Sequence, residues 1–135
     1  MGACPLIVGS GIDVVEIARV ARALERHGGR FAARVFTLGE RDACNRWARP
    51  APQFALRFAA KEAVMKAVGT GWARGVRWAD IEVVMGSEPD AAPTLRLHGR
   101  VAELAEARGG ARLHLALSRS RSHAMAVVLL EANGA

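Results

Sequence analysis

An alanine-rich run, Arg57-Phe58-Ala59-Ala60-Lys61-Glu62-Ala63-Val64-Met65-Lys66-Ala67-Val68-Gly69-Thr70-Gly71, constrains the fold more than any other part of the 135-residue chain. Its spacing predicts a helix with two different rows. Leu56, Ala60, Ala63 and Ala67 form an apolar row, while Phe58, Glu62 and Lys66 recur every four residues along another. The first row faces a core and the second faces something polar. A Glu to Lys pair one turn apart is worth only about 0.2–0.5 kcal/mol on a solvated helix. A row backed by small alanines, however, lets other backbones approach, which makes this helix a candidate wall of a site. Gly69 and Gly71 suit a helix end and a tight turn where positive φ is needed.

With 51% apolar residues, the chain can bury a core without metal or disulfide staples, and a single domain over 1–135 is expected. Cys4 and Cys44 share no C-x-x-C spacing, which points to a reducing cytoplasmic setting. The run Leu6-Ile7-Val8 is too short for a signal peptide or a membrane span, so no membrane association is expected. A net charge of +6 implies an anionic partner. Aromatic residues are only 5% of the chain and tyrosine is absent, which disfavours a platform for unpaired bases.

In chain order, Leu6 to Val8 reads as a strand and Gly9-Ser10-Gly11 as a flexible break, which sets Asp13 at a strand-to-helix boundary. From Asp13 to His27, Val14, Ile17, Ala21 and Leu24 keep helical spacing, with Arg19, Arg22 and Arg26 on another side. That basic stripe is either a solvated face or a docking surface. Gly28-Gly29 ends the helix, Arg30 to Phe36 forms a short one, and Thr37 with Glu40 has capping-box spacing for the next. Pro50-Ala51-Pro52 launches the central helix. Beyond a loop from Gly71 to Trp78, strands are expected at Asp80 to Met85 and Thr94 to Leu97. A helix at Arg100 to Arg108 follows, then a hairpin of Leu113-Leu115-Leu117 with His123 to Leu130. Helices gather in the first half and strands in the second. The fold class is α+β, with a mainly antiparallel sheet packed against the long helix.

Asp13 and Glu62 are the carboxylates best suited to act together. Two hard oxygen ligands are what Mg²⁺ commonly takes from protein, with waters and substrate phosphates completing its shell. Lys66, one turn beyond Glu62, can neutralise a diphosphate oxygen. Read singly, each is as well explained as a surface residue.

Read together, Gly11-Ile12-Asp13-Val14-Val15-Glu16-Ile17-Ala18-Arg19, then Arg30-Phe31-Ala32-Ala33-Arg34-Val35-Phe36-Thr37 with Glu40, then Arg57 to Ala63 with Lys66 and Gly69-Thr70-Gly71, resemble the holo-[acyl-carrier-protein] synthases. These are the small-subunit class of 4′-phosphopantetheinyl transferases, and the likeness covers nearly the whole chain. The resemblance implies that fold and a Mg²⁺-dependent enzyme that moves the phosphopantetheine arm of coenzyme A onto a serine of an acyl carrier protein, of fatty-acid or polyketide synthesis. Adenosine 3′,5′-bisphosphate is released. It makes Asp13 and Glu62 the metal ligands and, with Lys66, the catalytic group. It places coenzyme A against Arg57, Lys61, Lys66, Gly69, Thr70 and Gly71, and against Ser118 and Arg119 from the last hairpin. It assigns Arg19, Arg22, Arg26, Arg30 and Arg34 to carrier docking, with Phe31 as apolar anchor or core residue. It also implies a homotrimer with sites between subunits.

One departure stands in that hairpin. Where the family usually shows a first serine and a histidine, this chain has Ala116 and Arg119. An arginine keeps a phosphate-binding charge, and bidentately. If the histidine supplies shape or proton chemistry, the alternative is a homologue that docks carrier without catalysis. Nucleic-acid binding is a third reading, resting on charge alone. The general base, Glu62 or a metal-bound water, is left open by the sequence.

Overall fold

The computed structural model describes residues 4–69, 75–88 and 90–133. β1 (Pro5–Glu16) leads into α1 (Ile17–Glu25), a 3₁₀ turn at Arg26–Gly29, α2 (Arg30–Val35), α3 (Leu38–Asn45) and α4 (Ala51–Val68). A second 3₁₀ turn at Trp78–Asp80 precedes β2 (Ile81–Val84) and β3 (Thr94–Leu97). The chain then forms α5 (Gly99–Ala107), β4 (Gly110–Arg119) and β5 (His123–Asn133). β1, β5 and β4 make one sheet in that order and β2 pairs with β3, every pairing among the described residues being antiparallel. The α+β class with a long helix on an antiparallel sheet is what the patterning predicts.

Leu56, Ala60, Ala63 and Ala67 are all buried, as their spacing requires. Fourteen of the eighteen residues of α4 are buried, however, so this is a central helix rather than an amphipathic surface one. Its small side chains let β1 lie almost on its backbone. At Gly9 and Gly11 a methyl group would collide with the carbonyl oxygens of Ala67 and Ala63 respectively. Glycine in a strand here marks close approach of two backbones, not a break. Ala124, Ala126, Val128 and Leu130 of β5 complete the contact with the helix from the middle of the sheet.

Two expectations about β1 are corrected. The strand does not stop at Val8 but runs on through Asp13 to Glu16, with an irregularity between Ile7 and Gly9. Asp13 therefore sits inside a strand, opposite Ala126, and not at a helix start. The β-branched Ile12, Val14 and Val15 favour the pleated backbone, and pairing with β5 satisfies the hydrogen bonds of the segment. Val14, expected in a helical core, points away from α4 and is 52% exposed. It shares the outer face of the sheet with Ile12 and Met125, also exposed.

Thr37 and Glu40 form the anticipated capping box. Glu40 N donates to Thr37 Oγ1 at 3.1 Å, and Thr37 N donates to Glu40 Oε1 at 2.9 Å. α4 ends at Gly69 with φ of 79°, the left-handed geometry that glycine adopts without strain. Among the described residues no helix is long and apolar enough to cross a membrane.

Candidate active site

The strand-on-helix contact sets the site. β1 passes Ala67 at Gly9 and Ala63 at Gly11, and a two-residue strand step of about 6.7 Å matches about four residues of helix, near 6 Å. Asp13 thus falls level with the α4 turn that carries Glu62. Lys66 reaches back along the helix, as side chains lean toward the N-terminus. Its Nζ donates to Asp13 Oδ1 at 3.1 Å and to the carbonyl oxygen of Ile12 at 2.8 Å. The Asp13 side chain is 17% exposed and that of Lys66 is 53% exposed, so the pair faces solvent while its aspartate is held firmly. Glu62 is half-buried on the same row, one turn from Lys66.

The oxygen set suits a hard cation. The Ile12 carbonyl and the Asp13 carboxylate already gather positive charge in the form of the Lys66 ammonium, and Glu62 stands on the same row of α4, one turn before Lys66. Among the described residues no group of three or more His, Cys, Asp or Glu side chains could hold a metal. The carboxylates of Asp13 and Glu62 are hard oxygen donors of the type that Mg²⁺ accepts.

Lys61, expected against the coenzyme, lies instead in the core, and that expectation is corrected. Its side chain is wholly buried, with Nζ donating to Glu40 Oε1 at 2.8 Å, to the Trp78 carbonyl at 3.2 Å and to the Ile81 carbonyl. All three ammonium hydrogens are occupied. Glu40 Oε2 in turn accepts from Val83 N at 3.0 Å. One ion pair thus ties α3, α4 and β2 together. Burial lowers the pKa of Lys61, and the Glu40 carboxylate opposes that shift.

Arg57 stands nine residues before Lys66, half a turn from it in rotation, and so looks out of the opposite side of α4. It is 2% exposed, donates from Nη1 to the Gln53 carbonyl at 3.1 Å, and its Nε has no partner among the described residues. It lines a cleft of about 260 Å³ with Glu40, Glu82, Val83 and Arg96. Gly69 closes α4, whereas Thr70 and Gly71 lie outside the described residues.

Ser118 and Arg119 are not brought to Asp13 and Lys66 within one subunit. They line a separate depression of about 190 Å³ with Val14, Ser120, His123 and Met125. Ser118 stands opposite Met125 on the outer face of the sheet, whereas Asp13 faces α4. His123 opens β5, accepts or donates with Ser122 Oγ at 2.8 Å, and is a strand residue. His114 pairs with Glu131 at 2.7 Å and His98 lies 3.9 Å from Glu82, which leaves both with ordinary surface roles.

The basic stripe divides. Arg19, Arg22, Arg26 and Phe31 border one groove of about 440 Å³, whereas Arg34 opens on a different hollow. Arg30 is exposed at the start of α2. Phe31 is both wall and core: half-buried, it meets Phe36 edge-on at 6.0 Å and Phe58 at 5.9 Å. Sequence reasoning missed two contributors. The Ile12 carbonyl carries no side-chain signal at all. Arg108 binds the Val68 carbonyl at 3.1 Å and the Val8 carbonyl at 2.8 Å, joining the end of α4 to β1 from a helix that the sequence marks only as apolar.

Residues 9–128 match the family model of the 4′-phosphopantetheinyl transferase superfamily. The chain is 53% identical to a holo-[acyl-carrier-protein] synthase of Methylobacterium radiotolerans, over 94% of this chain and 95% of that protein. Its fold is similar to that of the holo-[acyl-carrier-protein] synthase of Neisseria meningitidis, with a TM-score of 0.81 and 31% identity over 93% of this chain and 98% of the other. The Bacillus anthracis holo-(acyl-carrier-protein) synthase, solved in complex with CoA (3′,5′-ADP), gives a TM-score of 0.75 and 35% identity, over 94% and 98% of the two chains. Sequence and fold agree: the chain belongs to the 4′-phosphopantetheinyl transferase superfamily, among its holo-[acyl-carrier-protein] synthases.

Proposed function

We propose that this chain transfers 4′-phosphopantetheine from coenzyme A to a serine of an apo acyl carrier protein, with Mg²⁺, releasing adenosine 3′,5′-bisphosphate. The observation that carries the reading is the Lys66 ammonium seated on Asp13 and the Ile12 carbonyl, with Glu62 on the same row of α4. In the reaction the serine oxygen bonds to the β-phosphorus of coenzyme A as the bond from that phosphorus to the bridging oxygen breaks. The hydroxyl proton of the serine is given up as the new bond forms, to the Glu62 carboxylate or to a water. Asp13 and Glu62 would hold Mg²⁺, which when bound would supply positive charge to the phosphate oxygens. Lys66, half exposed, neutralises a diphosphate oxygen as a point charge.

Arg57, which looks out of the side of α4 opposite Lys66 beside Glu40 and Glu82, would meet the nucleotide only where a second copy brings the coenzyme to that side. Because Ser118 faces away from Asp13 and the depression that it lines with Arg119 does not include Asp13, we assign their part in binding coenzyme A to a second copy. The exposed apolar side chains of Ile12 (55%), Val14 and Met125 (39%) on that outer sheet face supply a surface for one, in keeping with a homotrimer. The groove of Arg19, Arg22, Arg26 and Phe31 suits the acidic helices of a carrier protein. The two free cysteines accord with a cytoplasmic enzyme of one domain.

Incubation with Mg²⁺, coenzyme A and an apo carrier protein tests the reading by mass spectrometry. The carrier should gain the mass of phosphopantetheine, and the gain should vanish with Asp13→Ala or Glu62→Ala. No gain with several carriers, under conditions in which a working transferase modifies them, would overturn it.

A further inference from the structure

The basic surface has a second part that the α1 stripe does not account for. Arg34, near the end of α2, and Arg77, just before the Trp78–Asp80 turn, open on one hollow of about 390 Å³ lined by Val76, Trp78 and Ala79. Both arginines are exposed. Among the described residues neither takes part in an ion pair. Two guanidinium groups bordering one hollow repel each other, and an anionic group between them removes that repulsion.

Aromatic rings in contact link the wall of this hollow to that of the α1 groove. Trp78 stacks on Phe58 with ring centroids 5.2 Å apart and planes 20° from parallel. Phe58 meets Phe31 at 5.9 Å, and Phe31 borders the groove of Arg19, Arg22 and Arg26. Phe58 also begins the row that continues to Glu62 and Lys66. A partner lying over the groove of Arg19, Arg22, Arg26 and Phe31 therefore has the hollow of Arg34 and Arg77 beside it, across Phe58 and Trp78. The arginines are exposed on an open surface, with none of the buried donors that hold a small phosphate tightly. Such an arrangement suits guidance and selection of a charged macromolecule.

We propose that Arg77, acting with Arg34, is a second docking element for the carrier protein: it grips acidic side chains of a carrier helix beyond those met by the α1 stripe and so helps decide which carriers are served. This rests on the reading that the chain acts on a carrier. Arg77 comes from the segment before β2, so docking joins two parts of the chain that are distant in sequence.

The test is fluorescence anisotropy with a labelled apo carrier, alongside steady-state kinetics, for the wild type, Arg77→Glu and Arg77→Lys. Arg77→Glu should weaken carrier binding and raise the carrier KM by about tenfold, more at low salt than at high salt. Arg77→Lys should keep most of the affinity, and reversing an acidic residue of the carrier should restore binding to Arg77→Glu. Unchanged carrier affinity in Arg77→Glu, with the wild type binding normally, would overturn the inference alone. So would a rise confined to the KM for coenzyme A, which would make the hollow a small-molecule phosphate site. If the wild type binds no carrier at all, both the inference and the reading beneath it fall.

Discussion

Lys61 and Lys66 lie five residues apart on α4, yet one is sealed in the core and the other is 53% exposed beside Asp13. Five residues turn the helix through about 140° beyond a full revolution, so the two ammonium groups belong to different environments. The first closes a joint between α3, α4 and β2, and all its hydrogens are committed. The second holds an aspartate at the surface, where the proposed function gives it a phosphate oxygen as an alternative partner. The same residue type in the same short motif thus divides into a buried ion pair and an exposed one.

The contrast is open to direct attack. Glu40→Ala leaves a buried ammonium without its counter-charge, so it should cost about 3–5 kcal/mol of stability, measured by urea unfolding. Adding Lys61→Met to that variant should recover much of the loss, since replacing both members of a buried pair is often near neutral. If Glu40→Ala unfolds at the wild-type midpoint, Lys61 is not structural. Asp13→Ala should reverse the pattern: turnover falls about 10²–10³-fold, while stability changes by about 0–1 kcal/mol, as for an exposed pair. A large drop in the unfolding midpoint would make Asp13 a fold residue instead. Lys66→Met should act more mildly, raising the KM for coenzyme A by about tenfold with unfolding unchanged within about 1 kcal/mol. The smallest effect concerns Cys44, whose thiol burial pushes up to about 11. At pH 8 iodoacetamide should label the exposed Cys4 and reach Cys44 only after unfolding.

The sequence made the helix of α4, its apolar row, the Thr37–Glu40 capping box and the final hairpin legible, because each rests on local spacing. It misplaced Asp13 because Gly9-Ser10-Gly11 carries the mark of a break, and only packing reveals that the glycines admit α4. It misassigned Lys61 because Glu40 reads as a helix cap. The carboxylate does that work with Thr37 and also neutralises a lysine twenty-one positions away. The Ile12 carbonyl and Arg108 owe their places to tertiary contacts that no spacing encodes. The aromatic line from Phe31 through Phe58 to Trp78 likewise joins residues from three separate segments.

The seating of β1 on α4 has an evolutionary consequence. Two absent side chains, at Gly9 and Gly11, fasten the aspartate's strand to main-chain atoms of the helix. Under the proposed function, new recipient proteins could then be acquired by exchanging the outer arginines alone, while the distance between Asp13 and Lys66 is kept. An alanine at Gly11, by contrast, would lever the strand away and displace Asp13 from its lysine at a single stroke.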